Sequence, residues 1–558
     1  MRRRWVKKFA VIVALCAVAG AASAQSAPEP LPVPLPGASD VARTVTPGFR
    51  FAAPAQAAAI TADRLLLLAP DGAAVRGLVR TSGDRAVFEP SVPLVGCTTY
   101  TLLLNAPERV RARFTTACSA WSAPVQIDDT HTAHKVDLPV SGTQVAATAD
   151  GGFVAVWFQD DAGRRAILAA RFNPDTQVWS RPQAIDLQGP QDGASSIPAI
   201  TADRQGRLTV AWFQAVDGRN ALFAARSDGG AWQAPQRLDN PRLPGNATNP
   251  QLAADAAGNV TVVWQQPDGR HTAIYAAHWQ QAALRWLPAQ PVDRGPANAY
   301  NPVIAATPQG RVVAAWQQGP SGREAVFVAA LQPSGRSWGA PRRLSAEGIA
   351  ATSPALTATP QEAIVAAWVQ GRDAMRRIAV SQLMPEGSGA AFRWSAPQIQ
   401  QSTDFTGPAL SPALTADAAG DLTLVWEQAQ SAQGGPVRYA ILGTRRDAGA
   451  DAASARWSPP QQIDAPTLRS AGNPVLVTDA AGNVRCAWYQ DGPDGMQVQT
   501  ARYNPAEQRW EAPQTLSDPS ATVQASFPAL AVNAVGSTMA VWQQFNGWRT
   551  LAVARWLP

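Results

Sequence analysis

The side chains with most chemistry to offer recur at fixed places along the second part of this chain. A Gly-Arg pair, or a near variant, sits in one turn of successive repeats and supplies Arg164, Arg219, Arg270, Arg323, Arg376, Arg438 and Arg549. An Asn or Ser followed by Pro opens a strand at Asn249, Asn301, Ser353, Ser411 and Asn473, with Ile197 and Phe527 in the same place. Guanidinium forks and primary amides gathered on one face would suit an anionic glycan or a carboxylate-bearing chain. A competing use is written close by. Asp128, Asp186, Asp239, Asp293, Asp464 and Asp518 end strands that should lie beside the arginines. Cross-strand Arg–Asp pairs would commit those cations to edge electrostatics worth tenths of a kcal/mol up to about one each. At a typical position the pattern favours pairing over ligand capture.

Few other groups have the form of a reaction centre. Asp128, Asp129, His131 and His134 put hard and borderline ligands within seven residues, but they match no metal-ligand spacing and read as a solvated loop. His271 and His278 stand an odd number of residues apart on or beside one strand, which points them to opposite faces. Cys486 lies two residues before Trp488 in an apolar run, the setting of a buried small apolar residue. Cys97 and Cys118 bracket the end of the first globular region, and in an exported chain they are expected to form a disulfide. No metal, no cofactor and no catalytic residue is expected.

The elements that must position these groups repeat as well. A hydrophobic run ends in Trp-x-Gln eight times, at Trp157, Trp212, Trp264, Trp316, Trp368, Trp426, Trp488 and Trp542, spaced by 52 to 62 residues. A period of that size marks units that cannot bury their own core alone. One unit reads as four strands: Asn249-Pro250-Gln-Leu252 to the turn at Asp255-Ala-Ala-Gly258, then Asn259 to Gln266, Thr272 to Ala277, and Trp286 to Asp293. Turn residues every 8 to 12 positions, with Val, Ile, Leu and Trp between them, are an all-β signature, and four strands per unit point to propeller blades. The last copy stops after its third strand, while an unattached fourth strand, Trp121 to Ile127, precedes the first copy. A strand from one end completing the unit at the other would close a ring of eight blades and remove its free edges. The recurring Trp should pack between blades, and the recurring Gln should brace neighbouring backbone.

Compartment follows from the N-terminus. Five basic residues, the apolar run Phe9 to Gly20 and Ala22-Ser-Ala24 form a cleavable export signal. With its five basic residues set aside, 42 basic face 41 acidic residues, so a global basic field for nucleic acid has no support. No later stretch is apolar enough for a transmembrane anchor. Ala27 to Pro36 alternates proline and reads as a semi-rigid spacer.

Two family resemblances follow from these motifs. From about Val45 to Thr116, Pro70-Asp-Gly72 with Val75-x-Gly-x-Val79, then Phe88-x-Pro90, Pro93-Leu, and the Thr99-Tyr100 strand resemble the bacterial Ig-like domains of exported proteins. That resemblance implies a β-sandwich spacer or adhesive module. Arg226-Ser-Asp-Gly-Gly-Ala-Trp232, with looser copies before Trp179 and Trp510, resembles the Asp-box hairpin of sialidase-like propellers. The family's Phe/Tyr-Arg-Ile-Pro element has no copy in the first repeat, so no catalytic residue is carried over. The expected organisation is a signal peptide at 1–24, a Pro-rich linker at 25–44, an Ig-like domain at 45–118 and an eight-bladed β-propeller at 119–558. The expected function is recognition of a glycan, an envelope polymer or a protein partner in the periplasm or outside the cell. The alternative is a sialidase-like glycoside hydrolase or lyase acting on an extracellular polysaccharide.

Overall fold

The computed structural model describes residues 30–41, 45–69, 73–91, 94, 99–105, 109–116, 121–128, 142–161, 164–187, 193–385, 392–402, 404–430, 437–448, 456–479, 482–492, 495–504, 508–517, 524–534, 536–545 and 550–557. The export signal, Cys97, Cys118, His131, His134, Asp518 and Arg549 lie outside them. The described residues are nearly all β and fall into two compact units that part near residue 116.

The first unit holds two four-stranded sheets and one short helix, Pro54–Ala58. Phe49, Leu65, Leu67, Leu102, Leu104 and Phe114 are buried in it. The proline-rich stretch departs from the spacer expected of it. Leu31–Val33 pairs antiparallel with Gly48–Arg50, and Ala38–Val41 joins the second sheet. Leu31–Val33 is an edge strand, where a proline's missing N–H costs no ladder bond.

In the second unit, every Trp-x-Gln copy lies on the second strand of an antiparallel sheet whose strands follow one another in space. In the third repeat these are Thr248–Ala254, Val260–Pro267 and Thr272–Gln280, with an outer edge split into Arg285–Trp286 and Gln290–Pro291. Both faces of the second strand are buried because each sheet is packed between two others. Trp264 shares a core with Ala211, Leu222 and Ala224 of the repeat before it, and Trp316 does the same with Val263, Ile274 and Ala276. Trp157, in the first copy, packs with Met539, Val541 and Ala554 of the last. The outer strand of that last sheet is Val125–Gln126, paired with Thr550–Leu557 through Val553 and Ala554. The succession of sheets thus closes on itself, which is the arrangement of a β-propeller.

A buried indole must place its N–H. In all eight copies Trp Nε1 donates to Oε1 of the Gln two residues on, at 2.9 to 3.4 Å. The amide's other end then ties down the segment entering the same repeat. Gln214 Nε2 donates to the carbonyls of Leu187 and Gly193, Gln266 to Gly245, Gln318 to Ala297, Gln428 to Gly407 and Gln490 to Ala465. One amide therefore satisfies the indole and fixes an inter-repeat link. Gln318→Leu keeps the volume and removes both bonds, leaving Trp316 Nε1–H buried without an acceptor. The expected loss is about 1–3 kcal/mol, read as a lower urea midpoint; an unchanged midpoint would mean the clamp contributes nothing.

Candidate functional site

The turns between second and third strands, and the links between repeats, open at the same end of the sheets. The arginine series and the Asn/Ser-Pro series both fall there, but they meet different fates.

Arg164 Nη1 donates to Asp186 at 2.9 Å and to the Gly193 carbonyl at 3.1 Å. Arg438 donates to Asp464 at 2.5 Å. Arg219 binds the carbonyls of Pro241 and Leu243 instead of an acid, because Asp239 is held by Arg237 at 2.8 Å. In the third repeat Arg270 is exposed in the turn, and His271 occupies the inward position, with Nε2 3.6 Å from Asp293. In the fifth repeat the short 3-10 turn Asp373–Met375 shifts the chain, so Arg377, rather than Arg376, binds the carbonyls of Thr406 and Gly407. Pairing therefore commits Arg164 and Arg438, while backbone carbonyls commit Arg219.

The acid that receives these cations has a second task. Asp239, Asp293 and Asp464 accept the backbone N–H of Leu222, Ile274 and Ile441 at 3.2, 2.7 and 3.0 Å. Gln318 and Gln490, the clamp amides of the following repeats, also donate to Asp293 and Asp464. Burial pushes the Asp464 carboxyl above the ordinary carboxylate range, against Arg438, the Gln462 amide and the Ile441 N–H, which hold it down. Burial likewise raises Asp293, against the Ile274 N–H and His271.

Asn249, Asn301, Ser353, Ser411 and Asn473, with Ile197 and Phe527, all take left-handed backbone, φ between 47° and 52°. Each marks a bulge where the inner strand slips register against the second. The following proline has no N–H to strand there, and Asn tolerates this conformation better than other residues with a side chain. The freed backbone N–H of Asn301, Ser353 and Asn473 is capped by the middle residue of the preceding Trp-x-Gln, namely Gln265, Gln317 and Glu427, at 3.0, 3.1 and 2.8 Å. The Asn249, Asn301 and Asn473 amides have no partner among the described residues. Asn249 and Asn301 line a cavity of about 490 Å³ at the mouth formed by the inner strands, together with Gln144 and Ile197.

Carboxylates gather at the other end, where Asp203, Asp255, Asp417 and Asp479 line or border a 340 Å³ cavity. Each accepts the backbone N–H four residues on, from Arg207, Asn259, Asp421 and Asn483. Their second oxygens bind Arg207, Asn259, Arg445 and Asn483. All four are turn caps. Among the described residues no group of His, Cys, Asp and Glu could hold a metal. Cys486 is fully buried, and burial pushes its thiol up, away from reactive thiolate character.

One arginine cluster escaped the sequence pattern. Arg343 and Arg372 join Arg323 around a recess of about 580 Å³ between the fourth and fifth repeats. The signal for it was present as a gap, since the series of strand-ending acids has Ser345 where Asp239 and Asp293 stand in the repeats before it.

No family model matches this chain, and no curated protein matches it. Solved structures similar to it include a PL25 ulvan lyase, at 11% identity over 78% of this chain and 96% of that one, TM-score 0.43. A leech intramolecular trans-sialidase is 9% identical over 82% and 88%, TM-score 0.35. An α-L-arabinanase of Penicillium chrysogenum is 14% identical over 58% and 98%, TM-score 0.36. Among the described residues no helix is long and apolar enough to cross a membrane.

The pairing has a measurable consequence at Arg438. Arg438→Gln leaves a buried carboxylate without its cation, and the expected loss is about 1–3 kcal/mol near neutral pH, discounted for the partial exposure of the arginine. Removing the cation raises the folded-state pKa of Asp464 further above its unfolded value. The folded state then takes up a proton more readily than the unfolded one. The loss should be complete above that folded pKa and shrink as pH falls through it. Urea midpoints of variant and parent at about pH 7.5 and about pH 5 test this; an equal gap at both would remove Asp464 as the cause.

Proposed function

We propose that this chain is an exported recognition protein, an eight-bladed β-propeller following an Ig-like spacer, that holds a polysaccharide over the mouth of its inner strands. The observation that carries the reading is the set of unengaged amides, Asn249, Asn301 and Asn473, displayed by left-handed bulges. Asn249 and Asn301 flank a concave opening large enough for a sugar unit. Amides offer paired donors and acceptors to hydroxyl groups without charge, and the repeat holds them on braced backbone rather than on free loops. Export fits the basic and apolar segments at residues 1–24.

A glycoside hydrolase or lyase is the second reading. General acid–base chemistry on a glycosidic bond needs carboxyl groups free to exchange protons with the sugar. The four carboxyl groups around the opposite cavity have both oxygens engaged, by turn N–H groups and by arginine or asparagine side chains, so that end favours no hydrolase. Incubation of residues 25–558 with acidic polysaccharides, followed for new reducing ends and for unsaturated uronate, separates the readings. Sustained release of either would replace recognition by catalysis.

Binding is tested on a glycan array with the same protein. Glycine keeps the left-handed backbone and removes the amide, so the Asn249→Gly/Asn301→Gly double variant should fold like the parent. We expect it to lose about tenfold or more in affinity for the glycans the parent retains, from two or more lost hydrogen bonds. Full retention by the double variant would overturn the mouth as the binding place.

A further inference from the structure

The recess between the fourth and fifth repeats differs in its charge from the links where an arginine is paired with the acid that ends the fourth strand. In the second repeat Arg237 stands opposite Phe223, itself opposite Trp212, and forks onto Asp239 at 2.8 and 3.0 Å. In the fourth repeat Arg343 stands opposite Phe327, itself opposite Trp316. The residue two further on is Ser345, not Asp. Ser345 keeps one task of the acid it replaces, accepting the Val326 N–H on Oγ at 3.1 Å. It cannot perform the other. Arg343 is left to the carbonyls of Ser345 and Ala346, at 3.2 and 2.8 Å. Arg323, the counterpart of Arg164 and Arg438, has no side-chain partner among the described residues. Arg343 thus lacks the counter-charge that Asp239 gives Arg237, and Arg323 has neither the acid that holds Arg164 and Arg438 nor the carbonyls that hold Arg219.

A third is brought in by the next repeat. Arg372 follows Gly371, whose φ of +105° and crowding against the Met375 carbonyl admit no side chain. Backbone bonds fix the walls: Gly371 N–H donates to Ala350 O, and Ala351 N–H to Glu324 O, both at 2.8 Å. Glu324, Glu347 and Asp373 lie on the same loops, and none forms an ion pair with the three arginines among the described residues. Exposed Ile349 adds an apolar patch to the lining.

We propose that Arg323, Arg343 and Arg372 form a single oxyanion site, which receives a sulfate or carboxylate substituent of the bound polysaccharide while Ile349 meets the C–H face of its ring. The chemistry is that of guanidinium forks on a planar or tetrahedral oxyanion. The site deepens the recognition reading and rests on it for the polymer that carries the anion. It also changes that reading: the negative group is held at one link, not around the whole rim.

The fold supplies its own test. Ser345→Asp puts back the carboxylate present in the sister repeats, where Asp293 and Asp464 accept the same backbone N–H that Ser345 Oγ accepts. It should leave the thermal midpoint within a few degrees of the parent, draw Arg343 into a pair and cancel one of the recess's three positive charges without removing an arginine. Binding of residues 25–558 to dextran sulfate, polygalacturonate and neutral dextran is measured by titration calorimetry at physiological salt. The expected result is one site per chain for at least one anionic polymer, weakened about tenfold or more by Ser345→Asp and by Arg372→Gln. Arg270→Gln, an exposed arginine outside the recess, should bind as the parent does. Preference between the two anionic polymers assigns sulfate or carboxylate. Anionic binding equal in parent and Ser345→Asp, or none above neutral dextran, overturns the site. Neutral-glycan binding that still depends on Asn249 and Asn301 would then leave the recognition reading standing. Loss through Ser345→Asp with no effect of the Asn variants would overturn the mouth and keep the recess.

Discussion

The structure of the repeat region depends on where a buried indole N–H finds its acceptor. Tryptophan between sheets supplies apolar area that no single sheet could bury alone, but an unpaired N–H would cancel much of that gain. The Gln two residues on lies on the same face of the strand and so reaches the indole. Its Nε2–H groups reach the backbone carbonyls of the link that enters the repeat. Core packing and link geometry are therefore one interaction. Among the described residues the links are pinned to the core by these amides, and this makes a recognition surface possible on connections that would otherwise be loose.

A second constraint is layered on the first. The end of the fourth strand needs an oxygen to receive a third-strand N–H, and either carboxylate or hydroxyl can do that. Carboxylate brings a charge that must be balanced in a buried place, which explains Arg164 on Asp186, Arg237 on Asp239 and Arg438 on Asp464. Hydroxyl brings none. Ser517 in the seventh repeat accepts the Val498 N–H at 3.2 Å, and the third strand of that repeat opens on Gly495 and Met496 with no cation. Acid and arginine thus go together in the first and sixth repeats, and in the seventh both are absent. In the fifth repeat Gln401 takes the acid's place and Arg377 binds carbonyls, and in the fourth the acid is gone while Arg323 and Arg343 both stay.

Period, strand order and the closing outer strand were legible because they depend on spacing, and spacing survives in the sequence. The indole and amide roles were legible for a similar reason, since a buried Trp and a buried Gln admit few uses. Individual cations were not. Gly-Arg pointed to Arg270 and Arg376, whereas the inward places belong to His271 and Arg377. The turns are of equal length, and what differs is the arginine's place within the turn in the third repeat and the 3-10 turn Asp373–Met375 in the fifth. The left-handed backbone of Asn249, Asn301 and Asn473 was hidden behind an ordinary Asn-Pro turn signal, although the same place also holds Ile197 and Phe527. The proline-rich stretch read as a spacer, yet part of it forms strands, because an edge strand tolerates proline. The recess of Arg323, Arg343 and Arg372 escaped because it is defined by a missing acid, and a search for recurring residues passes over the position where recurrence stops.

Repetition gives these exceptions their meaning. A solitary cluster of three surface arginines on an irregular protein would say little, since cations are common on surfaces and most are solvated. Here sister repeats supply internal controls built on the same register. In them the counterpart of Arg323 is paired with an acid or bound to carbonyls, and the counterpart of Arg343 in the second repeat, Arg237, is paired with Asp239. The backbone N–H at Val326 is satisfied by Ser345 as well as it would be by Asp, so folding does not demand the serine. Folding does not demand the arginines either, since a repeat can lose both cation and acid and keep its sheet. What neither requirement explains is the combination of retained arginines with a lost acid, and an external anion supplies the missing counter-charge.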